Sequence, residues 1–478
     1  MTKKQLLTAA ISAALIGGSA GSAFASTGAN IENTMDMTMD IQALLQEYVV
    51  DNGTVGASVG VIDQGTIKFF SYGKKSVDGN EPVSEDTIFE IGSITKVFTT
   101  LALVDMVAKG EVQLDDPIEL YLPGVKVPEM DGKKITLRHL ATHHSGIPRM
   151  PNNFNPKNRL NPYEDYSVEN LYEFLNNCKL EKVPGVHFEY SNIGMGLLGH
   201  ILCLKAEKSY EQLISDTVAK RLEMKNTGIA LTPEMQKQFA KGHHLGQLVE
   251  YWDFQQSIAG AGSLRSNVKD MTQFLAANMG FLNSPVTDLL KQCHQEQYAP
   301  APTIGVGLGW ILSNPSNETK IIMHNGGTGG FRTYLGFNPK MQKGLVILTN
   351  STADWPDELG ASILDPEFKK PLIDKSLAQD QEYLNKFVGS YDATVFVVPD
   401  QPKQTLQVTI FGKQLACALT CGEVGLLYPE SLGVFGIKGF PDGKVQFSFD
   451  EKGNISKVQA LILSNGTTAW EATPKPQE

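Results

Sequence analysis

The sequence predicts a mixed α/β (α+β) fold: an antiparallel sheet flanked by helices with an all-helical segment, followed by a small all-β barrel. Three observations carry that reading. An early strand pair and a late strand cluster bracket a long, mainly helical stretch. From about residue 380, short β runs alternate with Gly, Asp and Asn turns. At 478 residues the chain also exceeds a typical single domain of about 100–200 residues.

The elements follow in order. Residues 1–25 read as a signal peptide: Lys3 and Lys4 supply the charged start, "LLTAAISAALIGG" the apolar stretch, and Ala23-Phe24-Ala25 the small-x-small cleavage site. The expected product is exported, periplasmic or secreted. No later stretch reaches the ~20 apolar residues of a membrane span. "MDIQALLQEYVVDN" reads as an amphipathic helix. "VGASVGVID" and "TIKFFSYGK" read as two strands joined by a hairpin at Gln64-Gly65.

A helix opened by Ser93 comes next, with Ile94, Val97, Phe98, Leu101 and Val104 at helical spacing and a stop at Gly110. Helices and Pro/Asn-rich loops fill about 115 to 300. "VGLGWILS", "TKIIMHNGG", "GFRTYLGFNP" and "GLVILTN" then supply strands that can join the early hairpin in one sheet. "DPEFKKPLIDKSLAQDQ" marks a linker, 366–382, before the β segment 383–474 with "LQVTIFG" and "KVQFSFD".

A net charge of −11 argues against nucleic acid, whose binding rests on a basic footprint. The five cysteines are scattered and odd in number, so at least one is free or pairs between chains. Cys178–Cys203 and Cys417–Cys421 are the possible bridges, with core filling the expected role for most. No metal is expected. "HLATHH" places His139 and His143 four apart but lacks the glutamate of HExxH. No cofactor is expected either.

Three short patterns carry chemistry, and each has a plain alternative. In "FEIGSITKVFTT", Ser93 lies three residues before Lys96, which is either a nucleophile with its proton partner or a helix cap beside an unrelated lysine. In "FEYSNIGMGLLGHIL", Tyr190 and Asn192 share a side if the chain is extended; otherwise Asn192 caps a helix and Tyr190 packs. In "IMHNGGTGGFRTYLGF", His324 ends an apolar strand before a Gly-rich turn.

Taken in order, Ser-x-x-Lys, Tyr-x-Asn and a basic residue with x-Gly resemble the serine β-lactamases and penicillin-binding proteins. The Tyr-x-Asn form resembles the class C β-lactamases and the related esterases, D-aminopeptidases and D-Ala-D-Ala peptidases. "LRHLATHHSGIP", "PGVHFEYSN" and "AGAGSLRSNVKDMTQFL" extend the likeness over about residues 40 to 350. The resemblance implies a β-lactamase-like serine hydrolase domain over 36–365 and a lipocalin-like barrel over 383–474.

It further implies an acyl-serine at Ser93, with Lys96 or Tyr190 as its base. Asn192 would hold Lys96 and bind substrate together with His324 and Gly326, and the N–H groups of Ser93 and Gly327 would form the oxyanion hole. The expected partner is a small-molecule or peptide substrate: a β-lactam, an ester or a D-amino-acid peptide. His324-Asn325-Gly326 stands where the β-lactamases usually carry Lys-Thr-Gly. This points to the D-aminopeptidase and esterase-like members, with His324 as a proton relay or weak anion site. The alternatives are a true class C-like β-lactamase or peptidoglycan DD-peptidase, and a non-catalytic binding protein of the same fold.

Overall fold

The computed structural model describes residues 37–316, 319–368, 375–395, 404–419, 424–437, 440–462 and 467–475. The signal-peptide expectation and Cys421 fall outside these residues, as does part of the expected linker. The chain divides into two compact units. The larger contains Val55–Phe368, and the smaller Lys369–Glu478 together with Gln46–Thr54.

The larger unit is built on one eight-stranded sheet. Strands β1 (Gly56–Asp63) and β2 (Thr66–Gly73) form the early hairpin. Both residues of its turn, Gln64 and Gly65, have positive φ, as a two-residue hairpin turn requires. Two short pairs intervene, β3 (Phe89–Glu90) with β6 (Arg265–Ser266), and β4 (Gly242–His244) with β5 (Gln247–Val249).

The late strands are β7 (Tyr298–Ala301), β8 (Ile304–Val306), β9 (Ile311–Ser316), β10 (Thr319–Gly327), β11 (Arg332–Asn338) and β12 (Lys343–Thr349). Their order is β2-β1-β12-β11-β10-β9-β8-β7, and β1 meets β12 in antiparallel register from Ala57↔Thr349 to Asp63↔Lys343. The early hairpin therefore joins the late cluster, as the sequence pattern requires.

Helix Thr95–Ala108 runs through the core with twelve of its residues buried. Its apolar positions Val97, Phe98 and Leu101 are fully covered, and Phe98 stacks on Phe274 at 4.4 Å. The helix stops before Gly110, whose φ of +72° suits the left-handed exit.

The smaller unit is a closed antiparallel barrel of eight strands in sequence order: β13 (Gly389–Val395), β14 (Gln404–Phe411), β15 (Gln414–Leu419), β16 (Val424–Ser431), β17 (Val434–Ile437), β18 (Phe440–Phe449), β19 (Ile455–Ile462) and β20 (Thr467–Pro474). Closure comes from β13 pairing with β20. Alternation in "LQVTIF" places Leu406 and Val408 inside and Gln407 and Thr409 outside. Tyr383, Leu384 and Phe387 of "YLNKF" fill the barrel core, with Phe387 4.7 Å from the Phe447 ring and 4.9 Å from Phe435. Within the segment read as a linker lies the short helix Lys375–Gln379, and a second, Gln381–Asn385, starts at its end.

Candidate active site

Ser93 stands where β3 hands over to the core helix. Gly92–Ile94 form a single 3₁₀ turn, with Gly92 at φ +52°, a conformation glycine takes without steric cost. The helix cap is Ile94, whose side chain makes no capping bond, so the plain reading of Ser93 as a cap fails. Lys96 Nζ instead lies 2.9 Å from Ser93 Oγ, because residues three apart share a helix face.

Lys96 is fully buried, and its Nζ donates to the Ala261 carbonyl at 2.7 Å. The Ala261 turn is tied to the same helix: Thr99 Oγ1 donates to Gly260 O at 2.8 Å, and Leu264 N donates to Thr95 Oγ1 at 3.1 Å. Burial holds the Lys96 amine well below the ordinary lysine range, and the Arg149 cation lowers it further.

Tyr190 arrives from a distant segment that a network of hydrogen bonds clamps in place. Ser191 caps helix Asn192–Ala206 by accepting the Gly194 N–H at 2.8 Å, and its hydroxyl donates to Pro148 O at 2.7 Å. Ser191 N donates to His143 Nδ1 (3.1 Å), Asn192 N to Arg149 O (3.0 Å) and Glu189 N to His143 O (2.7 Å). The cap is therefore Ser191, and the reading of Asn192 as the cap is corrected.

The Tyr190 ring centroid is 4.9 Å from Lys96 Nζ and 5.2 Å from Arg149 Cζ. The His143 and His324 rings lie 4.4 and 6.2 Å from it. Burial pushes the phenol up to about 12, against the opposing effects of the Ser93 hydroxyl and Arg149. Among the described residues Asn192 makes no hydrogen bond to Lys96: its Nδ2 lies 3.9 Å from Met150 Sδ and its Oδ1 is buried without a partner, while the amine of Lys96 is directed at Ala261.

The third pattern lies on β10. Its β9 register ends at Met323, whereas β11 continues to Gly327↔Arg332. Backbone meets backbone here. A Cβ on Gly326 would sit 2.1 Å from Ile91 O, and one on Gly92 would sit 2.7 Å from Gly327 N. Only glycines allow the Ser93 turn and the strand end to approach this closely.

His324 is 2% exposed. Its Nδ1–H donates to the Asn325 carbonyl at 2.6 Å, leaving Nε2 buried and unpartnered. Burial, reinforced by Lys96, drives its pKa down to about 3. With Nδ1–H donating to the backbone, Nε2 is left as an acceptor, an arrangement that suits the expected relay better than the expected weak anion site.

Three neighbours of these patterns escape a reading of the sequence. Arg149 follows "HHSGIP" directly, and only its adjacency to that phrase hints at it. The Ala261 carbonyl is a backbone atom inside "AGAGSL". Glu90, in "FEIGS", accepts the Trp252 N–H at 2.9 Å and lies 3.5 Å from Arg265. Burial raises Glu90 to about 7, opposed first by Arg265.

His139 and His143 act locally. Thr136 N donates to His139 Nδ1 at 3.2 Å within a capping box, and His143 receives Ser191 N as above. Cys178 and Cys203 are free thiols, so the first expected bridge is absent. Among the described residues no helix is long and apolar enough to cross a membrane.

A beta-lactamase family model matches residues 41–365. The chain is 29% identical to the beta-lactamase of Escherichia coli (strain K12) over 340 residues, 64% of this chain and 87% of that protein. It is 28% identical to the D-alanyl-D-alanine-carboxypeptidase/endopeptidase AmpH of the same strain over 342 residues, 67% and 87% of the two chains. Among solved structures, the beta-lactamase/D-alanine carboxypeptidase from Yersinia pestis complexed with citrate superposes with a TM-score of 0.60 at 25% identity, covering 68% of this chain and 97% of that one. A class C beta-lactamase gives 0.61 at 22% identity over 72% of this chain, a likeness of fold.

Proposed function

The chain belongs to the beta-lactamase family and is a serine hydrolase; on that premise we propose that it is exported and cleaves an ester or amide through an acyl-serine at Ser93. The observation that carries this reading is the 2.9 Å contact between Ser93 Oγ and a lysine amine whose pKa burial holds well below the ordinary lysine range. A serine hydroxyl is a weak nucleophile until an adjacent base takes its proton.

Lys96 is that base. Its Nζ is anchored on Ala261 O at 2.7 Å and stands 2.9 Å from Ser93 Oγ, within reach of the hydroxyl proton. The hydroxyl proton moves to Nζ as Oγ bonds to the substrate carbonyl carbon. The oxyanion rests on the N–H groups of Ser93 and Gly327, the usual site of the largest electrostatic gain. The Lys96 proton then passes to the leaving oxygen or nitrogen as the carbonyl carbon–leaving group bond breaks, with the Tyr190 hydroxyl as relay. Water then attacks the acyl-serine and gives a proton to Lys96, which returns it to Ser93 Oγ as the acyl carbon–Oγ bond breaks and the acid leaves.

Tyr190 remains a phenol, since its pKa of about 12 keeps it protonated across the working range. Asn192 Oδ1 and His324 Nε2, both buried acceptors without partners, bind donor groups of the substrate. Lys-Thr-Gly enzymes place a permanent cation where this chain holds a neutral imidazole. That difference favours an esterase or D-aminopeptidase-like preference over efficient β-lactam turnover.

Intact-mass analysis with a panel of β-lactams, p-nitrophenyl esters and D-Ala peptides tests the reading. One acyl adduct is expected, and it should vanish in Ser93→Ala. An adduct that survives in Ser93→Ala sinks the assignment. The printed names of the relatives favour a second reading, a β-lactamase or D-Ala-D-Ala carboxypeptidase. Nitrocefin turnover faster than ester turnover by orders of magnitude in kcat/KM decides for it.

The choice of base gives a pH prediction. Ser93 and Tyr190 lie against Lys96, and Arg149, His143 and His324 are electrostatically coupled to it. A depressed amine pKa means that activity climbs with pH through that value and then holds. Tyr190→Phe is expected to keep this acid limb while losing about 10–100-fold in rate. Loss of the limb in Tyr190→Phe, with retention in Glu90→Gln, assigns the base to the phenol instead.

A further inference from the structure

Resting on the hydrolase reading, we propose that Arg149 is a carboxylate anchor that selects anionic substrates from the Tyr190–Asn192 side of the cleft, opposite in chain origin to the β10 strand. Arg138, Arg221, Arg265 and Arg332 face Asp115, Asp105, Glu90 and Asp354 respectively. Arg149 faces no carboxylate among the described residues, although it is half-buried. An unpaired cation drawn partly out of water is costly unless something completes it. The Tyr190 face, 5.2 Å away, offers only partial compensation.

The position is held by its backbone. The Arg149 carbonyl accepts the N–H groups of Asn192 (3.0 Å) and Ile193 (3.4 Å), so its Cα is fixed to the segment that carries Tyr190 and Asn192. The same Tyr190 ring has Lys96 Nζ 4.9 Å away and the His143 and His324 rings 4.4 and 6.2 Å away, so the guanidinium shares one aromatic platform with these groups. Asn192 Oδ1 and His324 Nε2 are buried acceptors without a partner among the described residues. Of the side chains that converge here, Arg149 brings a permanent cation that faces no carboxylate among the described residues; Asn192 Nδ2 is an uncharged donor, and the amine of Lys96 donates to Ala261. A guanidinium fork also matches a carboxylate in two parallel hydrogen bonds.

The opposing explanation is that Arg149 only tunes the base. The two separate by substrate charge. Rates are measured for p-nitrophenyl acetate, p-nitrophenyl hydrogen succinate (anion on the acyl group) and m-carboxyphenyl acetate (anion on the leaving group). Arg149→Gln is expected to lower the ratio of kcat/KM for a carboxylate ester over the acetate by about 10–100-fold, mostly through KM. Arg149→Lys should recover part of that ratio, and the ester that responds locates the anion. A ratio unmoved in Arg149→Gln, with the acid limb shifted equally for charged and neutral esters, overturns the anchor alone. If the wild-type protein acylates Ser93 with none of the esters, the hydrolase reading fails and the anchor falls with it.

Discussion

Lys96→Met is expected to lower kcat/KM by about 10²–10⁴-fold, the usual contribution of a positioned base, while the protein still folds. Methionine keeps the unbranched bulk at a fully buried position, so no large cavity opens. The sign of the stability change follows from proton linkage. In the folded chain the amine pKa lies well below its ordinary value of 10.5. Between those two pKa values the unfolded chain binds the extra proton, so wild-type stability rises with pH across that window. Lys96→Met lacks this contribution. Its melting temperature should change less between pH 7 and pH 10 than that of the wild type, measured in matched buffers. A variant with wild-type ester turnover removes Lys96 from the chemistry.

Gly92→Ala should reduce kcat by about 10²–10³-fold, the size of losing one oxyanion donor. An alanine Cβ would stand 2.7 Å from Gly327 N and 2.9 Å from Gly327 O, both backbone atoms with little room to yield. The Ser93 turn and the end of β10 must then separate, and their N–H groups no longer converge. The left-handed backbone adds a cost of about 1–2 kcal/mol. Gly110→Ala is the matched control. Its φ is +72° but nothing lies within 4 Å of the added methyl, so it suffers the backbone strain without the clash. Melting temperatures should fall in both variants and kcat in Gly92→Ala only. Equal kcat values would separate the Gly92–Gly327 contact from catalysis.

Much of this was readable from residues alone, for identifiable reasons. Two side chains three apart on a helix must be neighbours, so the Ser93–Lys96 contact needed only a helix assignment. The hairpin turn and the barrel alternation are equally local. Tyr190 is different. No periodicity brings it to Ser93, and only the resemblance in motif order placed it there.

The misreadings share one cause, competition between chemically similar neighbours. Ser191 took the cap offered to Asn192, and the Ala261 carbonyl took the amine offered to Asn192. Backbone acceptors leave no mark in residue type. Arg149 was one charge in a Pro- and Asn-rich loop, and its significance depends on which carboxylates are missing around it. The sequence placed His324 at the end of an apolar strand, but the extent of its burial was not visible in the pattern.

The pairing of Ala57 with Thr349 ties an early strand to a late one. β12 lies between β1 and β11, so a chain cut short before Lys343 leaves the early hairpin no strand to join.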